Sequence, residues 1–219
     1  MFRRTFHIIC LVLLCTLPAK AQEGKVILGL RAGHNAVAGG FAAASLEADY
    51  SLAKHFAVTG GVQYNSIGKC AAEIRPAYFH DMAWGRISAE LLMHYTRSSG
   101  LNNMSAGAGL GLSTRWISAK AGYYYRTYEG ICEPFNLYYA LTVNCLPMTE
   151  KWDLQLMITN SEIFELERHY QPSFIMHGWY YPTDNIGITV GAGLKLAGMF
   201  NLAAGYHQFH TKAGICYRW

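Results

Sequence analysis

Apolar and polar residues alternate along most of this chain with a period of two. Val26, Leu28, Leu30 and Ala32 are interleaved with Ile27, Gly29, Arg31 and Gly33, and Phe56, Val58, Gly60, Val62 and Tyr64 with Ala57, Thr59, Gly61, Gln63 and Asn65. Successive side chains of a strand point to opposite faces of a sheet, so this period predicts half-apolar β-strands. The same reading gives strands over 26–33, 42–51, 56–65, 86–96, 104–113, 117–126, 134–145, 152–159, 173–181, 186–196, 200–206 and 211–219. A tight turn is expected at 52–54, and residues 66–81, which carry Cys70 and Pro76, read as a longer loop. The stretch from Asn160 to Gln171 breaks the alternation. Its S-E-I-F-E-L-E-R-H run suits a short helix capped by Ser161, an extended loop or a strand continuation. Twelve strands result; ten is the alternative, because residues 128–182 are less regular.

Alternation fits a soluble sandwich as well as a membrane barrel. Composition leans toward the barrel, as do the signal peptide and the terminal strand described below. Charged residues make up 15% of the chain, against about 25% in soluble domains. Gly, Tyr, Phe and Trp are abundant, and the glycines at 107, 109 and 111 lie on the polar row of one strand. The apolar rows end in aromatics (Tyr50, Tyr64, Tyr95, Tyr125, Trp152 and Trp219), the pattern of membrane-interface girdles. The expected fold class is therefore all-β, an antiparallel up-and-down transmembrane β-barrel.

Residues 1–21 read as a signal peptide, with Arg3 and Arg4, an apolar Ile8–Leu14 run and an Ala19-Lys20-Ala21 processing site, leaving a barrel domain over 22–219. A lipoprotein signal ending at Cys15 is disfavoured by Leu14 before it. Three of the 18 basic residues lie in the signal, so 15 bases face 14 acids in the rest, and no nucleic-acid partner is expected. The four remaining cysteines, Cys70, Cys132, Cys145 and Cys216, match no zinc spacing. They allow three disulfide pairings or free thiols.

Parity assigns the inward row. The candidate lumen-facing binding residues are Arg31, Glu47, Asp49, Arg86, Glu90, His94, Lys120, Arg126, Lys195 and Arg218, accompanied by Gln63, Asp153 and Lys212. Both signs occur, so ion pairs should hold the lumen together, since a lone buried charge is costly. A charged constriction selecting solutes is the functional reading of the same row. Ser88, Glu90 and His94 share one face, but same-face neighbours lie ~7 Å apart along a strand, and no G-x-S-x-G elbow is present. No catalytic residue and no enzymatic activity are expected. His207 and His210 fall on opposite faces of any strand and read as loop histidines; no metal and no cofactor are expected.

The last strand places Ala213, Ile215, Tyr217 and Trp219 on one face and ends on an aromatic residue. With the alternation throughout, this ending resembles small outer-membrane β-barrel proteins of Gram-negative bacteria, and the A-K-A-Q site is similar in style to Bacteroidetes members. The resemblance implies residence in the outer membrane, contact with its lipid, and recognition of that row by the barrel-assembly machinery. It implies an integral barrel with a non-enzymatic structural or accessory role first, a narrow porin-like solute channel second, and a lipid-modifying enzyme third.

Overall fold

The computed structural model describes residues 23–98, 101–128, 131–149, 151–167, 171–197 and 206–219. The expected signal peptide lies outside them. Alternating residues form β1 (Glu23–Asn35), β2 (Gly39–Ala53), β3 (Phe56–Asn65), β4 (Cys70–Met82), β5 (Gly85–Ser98), β6 (Leu101–Ser113) and β7 (Ile117–Tyr128). They continue as β8 (Ile131–Thr149), β9 (Trp152–Thr159), β12 (Ser173–Tyr180), β13 (Ile186–Leu196) and β14 (Tyr206–Arg218). Between β9 and β12 a two-stranded hairpin is formed by β10 (Ser161–Glu162) and β11 (Glu165–Leu166).

Twelve strands close a barrel in which every neighbour is antiparallel and β1 pairs with β14. Pairing runs from Lys25 opposite Arg218 to Asn35 opposite Gln208 without a break, so the sheet has no free edge. Both ends of the described chain lie at one rim, called here the terminal rim; the opposite one is the distal rim. Among the described residues no helix is long and apolar enough to cross a membrane; the crossing elements are strands.

The two rows separate as parity demands. Leu28, Leu30, Leu110, Val190, Ile215 and Tyr217 are exposed on the outer wall, whereas Arg31, Glu47, Glu90, His94, Arg126 and Lys195 are buried inside. An apolar outer surface needs no protein partner when acyl chains cover it. Tyr64, Tyr125, Trp152 and Trp219 lie exposed outside as expected of a girdle, but Tyr50 and Tyr95 do not. The Tyr50 ring lies 5.8 Å from that of Trp219, and Tyr95 donates its hydroxyl to Asn102 at 2.9 Å.

Two elements differ from the sequence reading. Residues 70–82 are a wall strand, not a loop. Pro76 sits opposite Val58 in the ladder to β3, while the ladder to β5 lapses between Ile74 and Ala77, where proline has no N–H to give. Residues 206–218 form a single strand, so His207 and His210 are strand residues rather than loop ones. Most of the strand expected over 200–206 lies outside the described residues.

The irregular stretch at 160–171 turns inward. Asn160 fixes the neck of the hairpin: its side-chain amide donates to Leu137 and Glu167 carbonyls at 2.9 and 3.0 Å and its oxygen accepts from the Tyr139 N–H at 2.8 Å. The turn places buried Phe164 at φ 69°, a region that aromatic residues seldom occupy. Its ring tip fits against Gly61 of β3, where any Cβ would collide with it.

Candidate functional site

The site is the lumen, and the hairpin at its centre organises it. Three carboxylates, Glu162, Glu165 and Glu167, reach bases on the wall. Arg31 meets Glu162 at 3.3 Å and Glu165 at 3.0 Å. Lys195 meets Glu165 at 2.6 Å and Glu167 at 2.8 Å. Gln208 donates to Glu165 at 3.0 Å, and His210 contacts both Arg31 and Glu162. The hairpin backbone is bound as well: Arg75 donates to the Ser161 carbonyl at 3.1 Å, Tyr124 to that of Glu167 at 2.9 Å, and Arg126 to that of Leu166. On the far side of the lumen, Leu166 packs with Leu92, Tyr124 and Tyr138 in an apolar layer. The glycine row contributes here, because a Cβ at Gly109 or Gly122 would overlap the Tyr138 ring.

Burial opposes ionisation of all three hairpin acids, and the neighbouring bases outweigh it. Against that burial, Arg31, then His210, hold the Glu162 carboxyl at about 2. Glu165 is likewise held well below the ordinary range by Arg31 and Lys195 despite its burial, and Glu167 is lowered mainly by Lys195. All three are therefore charged at neutral pH.

Two chambers lie on either side of the hairpin. One, of about 340 Å³, faces the terminal rim and is lined by Ser161, Glu162 and Ile163 together with Glu47, Glu90, Lys120 and Lys212. The other, of about 410 Å³, faces the distal rim and is lined by Phe164 to Glu167 with Gln63, His94, Arg126 and Gln208. The hairpin is thus the partition between them.

The expected lumen row is brought together in part. Arg31, Arg126 and Lys195 grip the hairpin. Glu90 pairs with Lys120 at 2.5 Å, and Glu47 pairs with Lys212. Asp49 lines the terminal chamber and accepts from the Thr59 hydroxyl at 3.3 Å. Asp153 takes a 3.4 Å contact from Gln155, and Gln63 lines the distal chamber. Two positions lie elsewhere. Arg86 sits at the terminal rim, 2.6 Å from Asp81 and over the Phe79 ring, and Arg218 donates to the Asp184 carbonyl at the same rim and covers Tyr181. Both begin or end their strands, so the parity that turned them inward left them at the mouth.

Ser88, Glu90 and His94 do not assemble: Glu90 lines the terminal chamber and His94 the distal one. Cys145 and Cys216 are free thiols, and no group of metal-ligating side chains occurs among the described residues. The residues missed from sequence are Glu162, Glu165, Glu167, Glu73, Arg75 and His210. The first three lie where the period fails, Glu73 and Arg75 lie on the strand read as a loop, and His210 was read as a loop histidine.

A closed twelve-stranded antiparallel barrel with a charged, partitioned lumen has the architecture of outer-membrane β-barrels. Solved structures of that class are similar to it. The KdgM porin, solved in complex with disordered oligogalacturonate, superposes with a TM-score of 0.59 at 12% identity, covering 88% of this chain and 98% of that one. The NanC porin gives 0.55 at 12% identity, over 87% and 98% of the two chains. An outer membrane channel from Pseudomonas putida gives 0.53 at 10%, over 91% and 96%. No protein-family profile matches the chain, and no curated protein matches it. The outer-membrane location expected from the sequence agrees with this fold. The expectation of a structural or accessory barrel is corrected: the matched folds are porins and channels, which favours the solute channel that the sequence reading placed second.

Proposed function

We propose that this protein is a narrow, non-enzymatic solute channel of the outer membrane, with the β10–β11 hairpin as its constriction. The observation that carries the reading is the pair of chambers on opposite sides of an ion-paired hairpin inside a closed barrel. A lumen filled only for stability is better served by apolar packing, because replacing buried ion pairs with hydrophobic groups is often neutral or stabilising. Here charged groups line both chambers, as in selectivity filters built from charged side chains.

In this reading the terminal rim faces the periplasm, and the outward row Ala213, Ile215, Tyr217 and Trp219 serves as the assembly signal. The outer wall contacts outer-membrane lipid, and the Bacteroidetes-like origin suggested by the processing site belongs to the same proposal. The test is reconstitution of the purified protein in planar bilayers. Small, discrete conductance steps are expected; a silent bilayer at protein levels that give full insertion overturns the channel.

A further inference from the structure

The terminal chamber carries a second arrangement of charge that the constriction does not use. Lys212 of β14 reaches across β1 to Glu47 of β2, and Lys120 of β7 reaches across β6 to Glu90 of β5. Each strap passes over a glycine. A Cβ at Gly29 would come within 3.4 Å of Lys212 Cε, and one at Gly111 within 3.5 Å of Lys120 Cγ, with Ser45 and Ser88 crowding the same spaces. Around the barrel, β1 and β6 are five strands apart one way and seven the other, so the two pairs face each other across the chamber. All four side chains line it. The pairs are open to different degrees: the Lys120 side chain is 36% exposed over a Glu90 that is 5% exposed, and those of Glu47 and Lys212 are 11% exposed. Arg75 of the same chamber is likewise matched, by Glu73 at 2.6 Å.

We infer that this chamber is a subsite for small zwitterionic solutes, those bearing an ammonium and a carboxylate on one molecule; the inference rests on the channel reading above. An anion that takes Lys212 or Lys120 strips a carboxylate of its partner inside the lumen, and a cation does the reverse to the lysine. Either leaves an uncompensated charge, the costly outcome for a half-buried pair. A zwitterion supplies both signs. Its carboxylate takes a lysine while its ammonium takes the glutamate, so every charge remains matched as the solute moves past. Opposed straps on the two walls let one solute be handed between them, and within each strap neither sign is left in excess.

Liposome swelling with L-glutamine, L-arabinose and sodium D-galacturonate, solutes of similar size and different charge, tests this. Glutamine is expected to enter roughly two- to fivefold faster than arabinose, the scale of one partly exposed charge contact, with galacturonate slowest. In the double variant Glu47→Gln with Lys212→Met, which leaves no orphaned charge on that wall, the glutamine advantage should fall while arabinose entry is retained. The companion Glu90→Gln with Lys120→Met on the opposite wall serves if the first does not insert. Arabinose matching glutamine, or galacturonate entering fastest, overturns the subsite while leaving the channel intact. Entry of none of the three, together with silent bilayers, overturns the channel and the subsite with it.

Discussion

Lys195→Met is the most informative single change. The ammonium of Lys195 is almost fully buried and bonds Glu165 and Glu167 at 2.6 and 2.8 Å. Methionine fills similar space without charge, so the change isolates the ion pair. Removing one partner of a buried pair costs about 3–5 kcal/mol, because the other charge is left unmatched. Two observations pull the expected cost toward the lower end. Glu165 keeps Arg31 at 3.0 Å and Gln208 at 3.0 Å, and Glu167 is 24% exposed and can rehydrate. A loss of about 3 kcal/mol would fall on hairpin docking rather than on the barrel, whose strand ladder is untouched. It would raise the undocked fraction of the hairpin by roughly 100-fold. Single-channel recording reads this directly: the parent protein should show quiet, small steps, and the variant frequent excursions to a larger level. Adding Glu167→Gln to the variant should quieten the trace in part, because Glu167 is the acid whose ion pair is with Lys195. Traces of Lys195→Met that match the parent in step size and noise would show that the ion pairs do not hold the constriction.

Two further outcomes follow from the same contacts. The Glu162 carboxyl is held at about 2 in the folded protein against an ordinary 4.5. A lowered value means that its contribution to docking is complete above about 4.5 and disappears as pH falls through about 2. Conductance should therefore hold steady from neutral pH to about 4.5 and become larger or noisier only below it; a transition near pH 6 would contradict this role of Glu162 in docking. Leu110→Arg places a charge on the lipid-facing row at a residue 66% exposed, costing up to ~2–4 kcal/mol near the midplane. It should lower the fraction of heat-modifiable, folded protein in detergent gels. Thr96→Arg points into the distal chamber and should insert normally while reducing conductance. The opposite pattern would invert the assignment of faces.

The architecture was legible because alternation is enforced at almost every wall position by lipid on one side and polar groups on the other. The strand count came out right although one wall strand was read as a loop. Residues 70–82 were hidden by Pro76 and by the run of Glu73, Arg75, His80 and Asp81, which look like loop residues until β3 and β5 are placed beside them. The last strand was begun at 211 rather than 206 because Gln208 and His210 look like loop polarity. Inside the barrel they are partners for Glu165 and Arg31. Parity found most wall charges of the site but not what they bind. Arg31 and Lys195 meet hairpin acids rather than neighbouring strands, and nothing in the spacing of Glu162, Glu165 and Glu167 announces a segment that folds back into the lumen. The Gly107–Gly111 row was readable as a polar face but not as the space into which Tyr138 fits.

In the channel proposed above, the hairpin restricts an otherwise open water path through the barrel. Excising residues 161–166 and joining the flanks with a short Gly-Ser linker, then comparing unit conductance with the intact protein, tests it most directly. A severalfold larger, steady conductance in the excised form is the predicted result. Equal conductance in the two forms, with both inserted and heat-modifiable, would contradict it.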